Sequence, residues 1–304
     1  MENMTLALAV LLGAGFGIAK LGQMIRLPSV TGYICAGLLL GPSGLNLITV
    51  EVMGSKLNHF SQIALMLIAF GIGEHLEFRK LRHSIKSVGS IGLAETSTAF
   101  ILVSVTTFFA AWITDAGPES WGVKDFIALS LLLGAISSAT APAATLHVMR
   151  ELKAAGPLTT TLMSVVAIDN GFAIMFFGIA ASIARQIVGA GNGSMVGAVG
   201  VSFTEIGGSL LLGVGTGLLI DFIVHRLNRR GEMLTVGLAL LLLCGEGARL
   251  FHFSQLLAGM AAGLTIVNRD HRDVRMFQAL NSFGPPIYVL FFALAGAHLD
   301  FSSL

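Results

Sequence analysis

From Pro157 to Arg185 the chain carries no charged residue except Asp169. A run of roughly 28 residues rising 1.5 Å each is long enough to cross a hydrocarbon core of about 30 Å. Asp169 then lies near the middle of a membrane helix. An ionised carboxylate is costly there unless water, a cation or a proton compensates it. Asp169 is therefore a functional candidate; the plainer alternative is a structural Asp hydrogen-bonded between helices.

The rest of the sequence agrees with a membrane setting. Of 304 residues, 54% are hydrophobic and only 12% charged, where a soluble domain has about 25% charged. The fold class expected is an all-α polytopic membrane protein, with 1–304 forming one transmembrane domain. The net charge of +1 and the lack of a basic tract give no sign of nucleic-acid binding. Cys35 and Cys244 sit in apolar runs and read as small core residues. Glu2 replaces the basic start of a signal peptide, so the first apolar run reads as a retained helix.

Ten apolar segments can be marked, at 4–22, 29–48, 58–74, 88–113, 126–148, 159–187, 202–224, 233–248, 254–268 and 283–299. If all ten span, 14 of the 18 Lys and Arg residues fall on the side of the odd-numbered connections. By the positive-inside rule that side is cytoplasmic and the N-terminus lies outside. The words Gly73-Glu74-His75-Leu76-Glu77-Phe78 and Gly296-Ala297-His298-Leu299-Asp300-Phe301 match, as do Ala36-Gly37-Leu38 and Ala262-Gly263-Leu264. These pairs predict an inverted repeat: a first copy at about 4–187, a linker helix at about 202–224, and a partial second copy at about 233–304. Such repeats carry the substrate site of many secondary transporters at their interface.

Segment five contains Ser137-Ser138-Ala139-Thr140-Ala141-Pro142-Ala143-Ala144-Thr145. Pro142 lacks an N–H and clashes with the preceding turn, which predicts a broken helix over 137–145. The hydroxyls can satisfy freed backbone groups, and such a break survives in lipid where it is buried or lines a wet cavity. A simple proline kink repaired by Ser and Thr is the bland reading. Beside a mid-membrane Asp, an ion site is the sharper one: carbonyls and hydroxyls suit a hard cation and the carboxylate supplies charge. The ion- and proton-binding candidates are Asp169, Asn170, Thr140 and Ser138, with Ser137, Ala141 and Pro142 forming the break. Glu95 and Glu246 read as interhelix hydrogen-bonding groups, Asp221 and Glu205 as segment-end residues reaching interface water, and His147 as packing. Glu74-His75 and Ala297-His298 read as turn starts. The six glycines of 189–200 read as a flexible connection, and those of segment seven as close helix contacts.

The run 139–145, with Met149-Arg150-Glu151, Gly156-Pro157 and Val165-Val166-Ala167-Ile168-Asp169, resembles the prokaryotic monovalent cation:proton antiporter superfamily. Arg26-Leu27-Pro28 leading to Gly41-Pro42 is similar to that family's second helix, and Pro286 to Ala297 to its tenth. The resemblance implies an antiporter fold with a dimerisation domain, homodimers and a mobile core in a prokaryotic cytoplasmic membrane. It implies exchange of Na⁺, K⁺ or Li⁺ for protons, with no cofactor, no enzymatic activity and membrane lipid as surroundings. Asp169 falls on the first acid of the family's pair and is the expected ligand of Na⁺ or K⁺. Asn170 stands where the second acid is usual, no Lys or Arg follows Arg275, and the family's last three helices would lie beyond Leu304. Asn can offer a carbonyl to a cation but cannot carry a proton, so weak or electroneutral exchange is expected. The competing readings are a degenerate subunit that binds a cation without exchanging it, and a sodium-coupled organic-anion symporter.

Overall fold

The computed structural model describes residues 4–49, 58–74, 76–81, 85–114, 118, 121–188, 195–227, 229–269 and 284–299, and every regular element among them is helical. In chain order these are α1 (Met4–Met24), α2 (Ser29–Leu40), α3 (Asn58–Gly73), the single turn α4 (Phe78–Leu81), α5 (Ile85–Thr114) and α6 (Val123–Ser137). They continue with α7 (Pro142–Glu151), α8 (Pro157–Ile187), α9 (Met195–Val224), α10 (Arg230–Leu250), α11 (Gln255–Val267) and α12 (Gly284–Ala297). Among the described residues six spans are long and apolar enough to cross a membrane, α6 and α7 counting together as one. The chain is a multi-pass membrane protein.

Two sequence expectations need correction. The second segment was expected to run to residue 48, but α2 stops at Leu40. Pro42 has no N–H to continue the ladder and disfavours a helical residue before it. The chain turns instead: Leu45 N–H bonds back to the Leu39 carbonyl at 2.7 Å and Ile48 N–H to Leu40 at 2.9 Å. In segment five the break is shorter than 137–145, since only Ser138 to Ala141 lie outside helix. Pro142 is the first residue of α7, not a kink within a helix. Its missing N–H is harmless at that position and its fixed φ suits the first turn.

The four shorter apolar helices, α2, α3, α11 and α12, pack on one another, α2 against α12 and α3 against α11. Spans of 12 to 16 residues rise only about 18–24 Å at 1.5 Å per residue, which is tolerable inside a bundle. Glycines set the spacing. A Cβ on Gly37 would lie 1.8 Å from the Ala293 carbonyl oxygen, and one on Gly263 would lie 2.2 Å from that of Phe70. One on Gly296 would meet the Ile34 carbonyl oxygen at 2.1 Å, and one on Gly73 would meet that of Met260 at 2.4 Å. These contacts form two matched pairs. Gly37 and Ile34 precede Gly263 and Met260 by the same 226 residues, and Gly73 and Phe70 precede Gly296 and Ala293 by the same 223.

Outside this centre, α9 covers α11. Gly213 and Gly217 approach Ala258 and Thr265, and Gly208 faces the Phe253 ring, whereas Gly207 and Gly215 have open space beside them. Close contact thus accounts for part of the glycine content of α9. Buried Phe70, Ile220, Leu241 and Ile266 fill the space between α3, α9, α10 and α11. The second packing group is α5, α6 and α8, with α7 continuing from α6. Gly134 brings α6 onto α5 at Ser104 and Phe100. This group meets the first where α2 and α3 touch α7 and where α9 touches α8. The break between α6 and α7 therefore lies beside that junction.

Candidate functional site

The local sequence explains how the break is built. Ala141 has φ −90° and ψ 89°, the extended form expected before a proline. The last carbonyls of α6 lose helical donors at the break, and two hydroxyls replace them. Ser137 Oγ donates to the Gly134 carbonyl at 2.8 Å and Ser138 Oγ to Ala135 at 2.7 Å. Both serines thus repair their own helix, and Ser138, expected near the ion, spends its hydrogen on its own backbone. The next residue with a hydroxyl, Thr140, sits in the gap with no helix of its own to repair.

Thr140 turns to Asp169. Its hydroxyl donates to Asp169 Oδ2 at 2.6 Å and its backbone N–H donates to the same oxygen at 3.2 Å. The Thr96 hydroxyl, on α5, donates to Oδ1. The same hydroxyl lies 2.7 Å from the Gly92 carbonyl; with one hydrogen it serves one acceptor at a time. Asp169 and Thr96 have no exposed surface. Three donors converge on one carboxyl group. The N-terminus of α7 begins two residues past Thr140.

Asn170 points elsewhere. Successive helical residues differ by about 100° around the axis, so Asp169 faces α5 and the break while Asn170 faces α9. Asn170 Nδ2 donates to the Val166 carbonyl of its own helix at 2.7 Å. The residue also lines a cavity of about 840 Å³ whose wall includes Ala139, Ser182, Arg185 and Glu205. This cavity runs between α8 and α9, from the helix end carrying Arg185 to the break at Ala139. Glu205, expected at interface water, is half-buried in the wall of this cavity.

At the other end of α7 a second cavity, of about 520 Å³, is lined by Ser29, Tyr33, His147, Arg150, Glu151 and Tyr288. Glu151 closes α7 against α2. Its carboxylate accepts from Ser29 N–H at 3.0 Å, from Ser29 Oγ at 2.6 Å and from Gln23 Nε2 at 3.0 Å. It thereby caps the start of α2 from another helix. The His147 ring packs 4.6 Å from Tyr288 and 5.6 Å from Tyr33, in keeping with a packing role. Arg150 reaches the Tyr288 hydroxyl at 3.4 Å and the Glu74 carboxylate at 3.6 Å.

The structure thus brings Asp169 and Thr140 together, sets Asn170 on an adjoining cavity, and leaves Ser137 and Ser138 on their own helix. Thr96 was missed, because an isolated Thr some seventy residues upstream carries no local signal. Glu246 pairs with Arg249 one turn along the same helix. Asp221 is buried and pairs with Arg269 at 3.0 Å, where exposure to interface water was expected. His75, residues 189–194 and Asp300 lie outside the described residues.

Several known proteins share this sequence or this fold. The glutathione-regulated potassium-efflux system protein KefC of Salmonella typhimurium is 26% identical over 319 residues, an alignment spanning all of this chain and 47% of that protein. KefC of Salmonella arizonae is 27% identical over 322 residues with the same coverage. The chain therefore spans about half the length of the curated relatives it matches. The solved structure of the sodium proton antiporter MjNhaP1 from Methanocaldococcus jannaschii superposes with a TM-score of 0.68. It covers 98% of this chain and 71% of that one at 20% identity, and so shares its fold. Residues 7–304 match the transmembrane sodium/hydrogen exchanger family, and the chain belongs to that family, within the monovalent cation:proton antiporter superfamily.

Proposed function

We propose that this chain exchanges a monovalent cation, Na⁺ or K⁺, for protons across a prokaryotic cytoplasmic membrane. The observation that carries the reading is the fully buried Asp169 carboxylate, held by Thr96 and Thr140 at a helix break, with a cavity ending one residue away at Asn170. An exchanger needs one group that binds a cation when ionised and a proton otherwise, so that the two ions compete. Asp169 is that group, and Thr140 is its nearest helper. Asn170 contributes at most a carbonyl oxygen at the cavity floor.

The charge distribution supports a cytoplasmic location for Glu151 and its cavity, with the N-terminus outside. The larger cavity, at the Arg185 end, then opens outward, and the Glu151 contacts close the inner side. The matched glycine contacts of α2–α12 and α11–α3 support two inverted copies at about 4–187 and 233–304 joined by the helix at 202–224. KefC and MjNhaP1, named for potassium efflux and for sodium–proton antiport, favour transport over any enzymatic role. The two names differ in their cation, and the residues at Asp169 admit either. A homodimer in lipid fits the family resemblance.

A second reading, a subunit that binds a cation without exchanging it, is favoured by the Asn170 amide turning onto its own backbone. An organic-anion symporter is disfavoured, because the larger cavity offers one arginine at its rim and the acid Glu205 in its wall. The deciding experiment loads proteoliposomes with a pH-sensitive dye and applies a pulse of Na⁺ or K⁺. Wild-type protein gives a cation-dependent pH change that Asp169→Asn lacks; identical traces from the two proteins refute exchange at Asp169.

A further inference from the structure

The larger cavity has one acid in its described wall, Glu205, and the contacts around Asp169 make no use of it. Glu205 lies ten residues into α9, about 15 Å along the axis, and inside the apolar span that starts at Gly200. A carboxylate at that depth needs water, a proton or a cation beside it. The protein supplies no base. Among the described residues no side chain hydrogen-bonds or ion-pairs with the Glu205 carboxylate. α9 and α11 contain no Lys or Arg. Of the other helices packed on α9, α10 has Arg249 bound to Glu246 and Arg230 at its first residue, and α8 has only Arg185, near its last residue.

The place of Glu205 in the cavity is informative. α8 ends at Ile187 and α9 starts at Met195, so distance along each helix from that junction measures depth. On α9 the wall runs through Gly197, Val201 and Ser202 to Glu205; on α8 it runs from Arg185 down to Asn170. The acid is thus the deepest α9 residue in the wall. Asn170 lies 17 residues below Ile187, about 26 Å, which leaves roughly 10 Å between the level of Glu205 and that of Asn170. Asn170 is the neighbour of Asp169, so Glu205 stands on the way from the cavity mouth to the break.

Two hydrogen bonds fix the surroundings of the acid. Ser209 Oγ donates to the Glu205 carbonyl at 2.5 Å and accepts from Ser254 N–H at 2.9 Å. This bridge pins the start of α11 beside Glu205 and brings Ser254 into the same wall. Ser254 Oγ accepts from Leu257 N–H at 3.3 Å and retains a second lone pair. A carboxylate and a hydroxyl on a wet cavity wall are the oxygen ligands that a hard cation prefers.

Resting on the exchange reading above, we infer that Glu205 and the Ser254 hydroxyl form a second cation site, where Na⁺ or K⁺ is held in the cavity before it passes to Asp169. An uncompensated negative charge in a cleft with low-dielectric walls raises the local concentration of cations. Glu205 therefore acts on capture of the ion, and Asp169 on its exchange for a proton.

The first test follows dye-monitored exchange in proteoliposomes across a Na⁺ or K⁺ titration. Glu205→Gln raises the half-saturating cation concentration about fivefold or more and leaves the saturating rate within about twofold of wild type, the pattern of lost capture with exchange intact. Glu205→Asp keeps the charge and stays near wild type. A purely structural role would instead lower the saturating rate and leave the half-saturation point in place. The second test uses the purified wild-type chain and decides the matter even where Glu205→Gln does not fold. A water-soluble carbodiimide modifies Glu205, mapped by mass spectrometry, and added Na⁺ or K⁺ slows that modification. Asp169→Asn shows the same protection, because the two sites are separate. If Glu205→Gln keeps the wild-type half-saturation point, or neither cation protects Glu205, while Asp169→Asn is silent in exchange, Glu205 holds no cation and the exchange reading stands without it. If Asp169→Asn exchanges like wild type, or wild type does not exchange, the exchange reading falls and the role of Glu205 falls with it.

Discussion

Replacing Thr140 with Val tests the site through one hydrogen bond. Val keeps the β-branched shape and removes the hydroxyl that donates to Asp169 at 2.6 Å. Thr140 lies in the gap between α6 and α7, so helix propensity does not enter. The backbone N–H at 3.2 Å remains as a donor, so the loss is one charge-assisted bond, worth about 1.5–3 kcal/mol. Cation binding uses the Asp169 carboxylate that this bond holds in place. The cation concentration for half-maximal exchange therefore rises roughly 10- to 150-fold, at 1.4 kcal/mol per tenfold. The assay is dye-monitored exchange in proteoliposomes across a cation titration, with Thr140→Ser as the variant that retains the hydroxyl. A Thr140→Val protein with the wild-type half-saturation point would refute the role given to this bond.

Other substitutions test the remaining parts. Gly37→Ala places a methyl 1.8 Å from a backbone oxygen of α12; it lowers the melting temperature in detergent, costing at least the ~1–3 kcal/mol typical of overpacking. Gly215→Ala, with nothing within 4 Å of its Cβ, leaves the melting temperature unchanged or raised, which separates contact from composition. Glu151→Ala removes the acceptor that caps α2, a loss of about 1–2 kcal/mol, and hydrogen exchange at Ser29 and its neighbours quickens; unchanged protection would show that the cap is idle. Asn170→Asp adds a carboxylate at the cavity floor at the cost of the 2.7 Å bond to Val166, and cation-dependent proton flux rises.

The parts of the site that were readable from sequence are those that break a local pattern. Asp169 interrupts a charge-free run, and Pro142 with its small neighbours interrupts a helix, so both stand out in one dimension. The length of the break was overestimated because the small residues after Pro142 resemble those before it, although they already belong to α7. Ser138 and Thr140 are alike in sequence and differ in role only because the end of α6 consumes the serine's hydrogen. Thr96 gave no sign of its importance, since its meaning comes from α5 crossing α8. The end of α2 was legible in Gly41-Pro42, yet hydropathy ran past it because Leu45, Leu47 and Ile48 continue the apolar character after the helix has turned. Asp221 was misplaced for a related reason: its partner Arg269 follows 48 residues later, across two helices.

The most direct test of Asp169 as the exchange site is uptake of ²²Na⁺ or ⁸⁶Rb⁺ into proteoliposomes driven by an imposed pH gradient, with wild type and Asp169→Asn incorporated to equal density. The account predicts that wild type accumulates one of the two tracers until the gradient is dissipated and that Asp169→Asn stays at the level of empty vesicles. Equal, gradient-driven uptake by both proteins would contradict it.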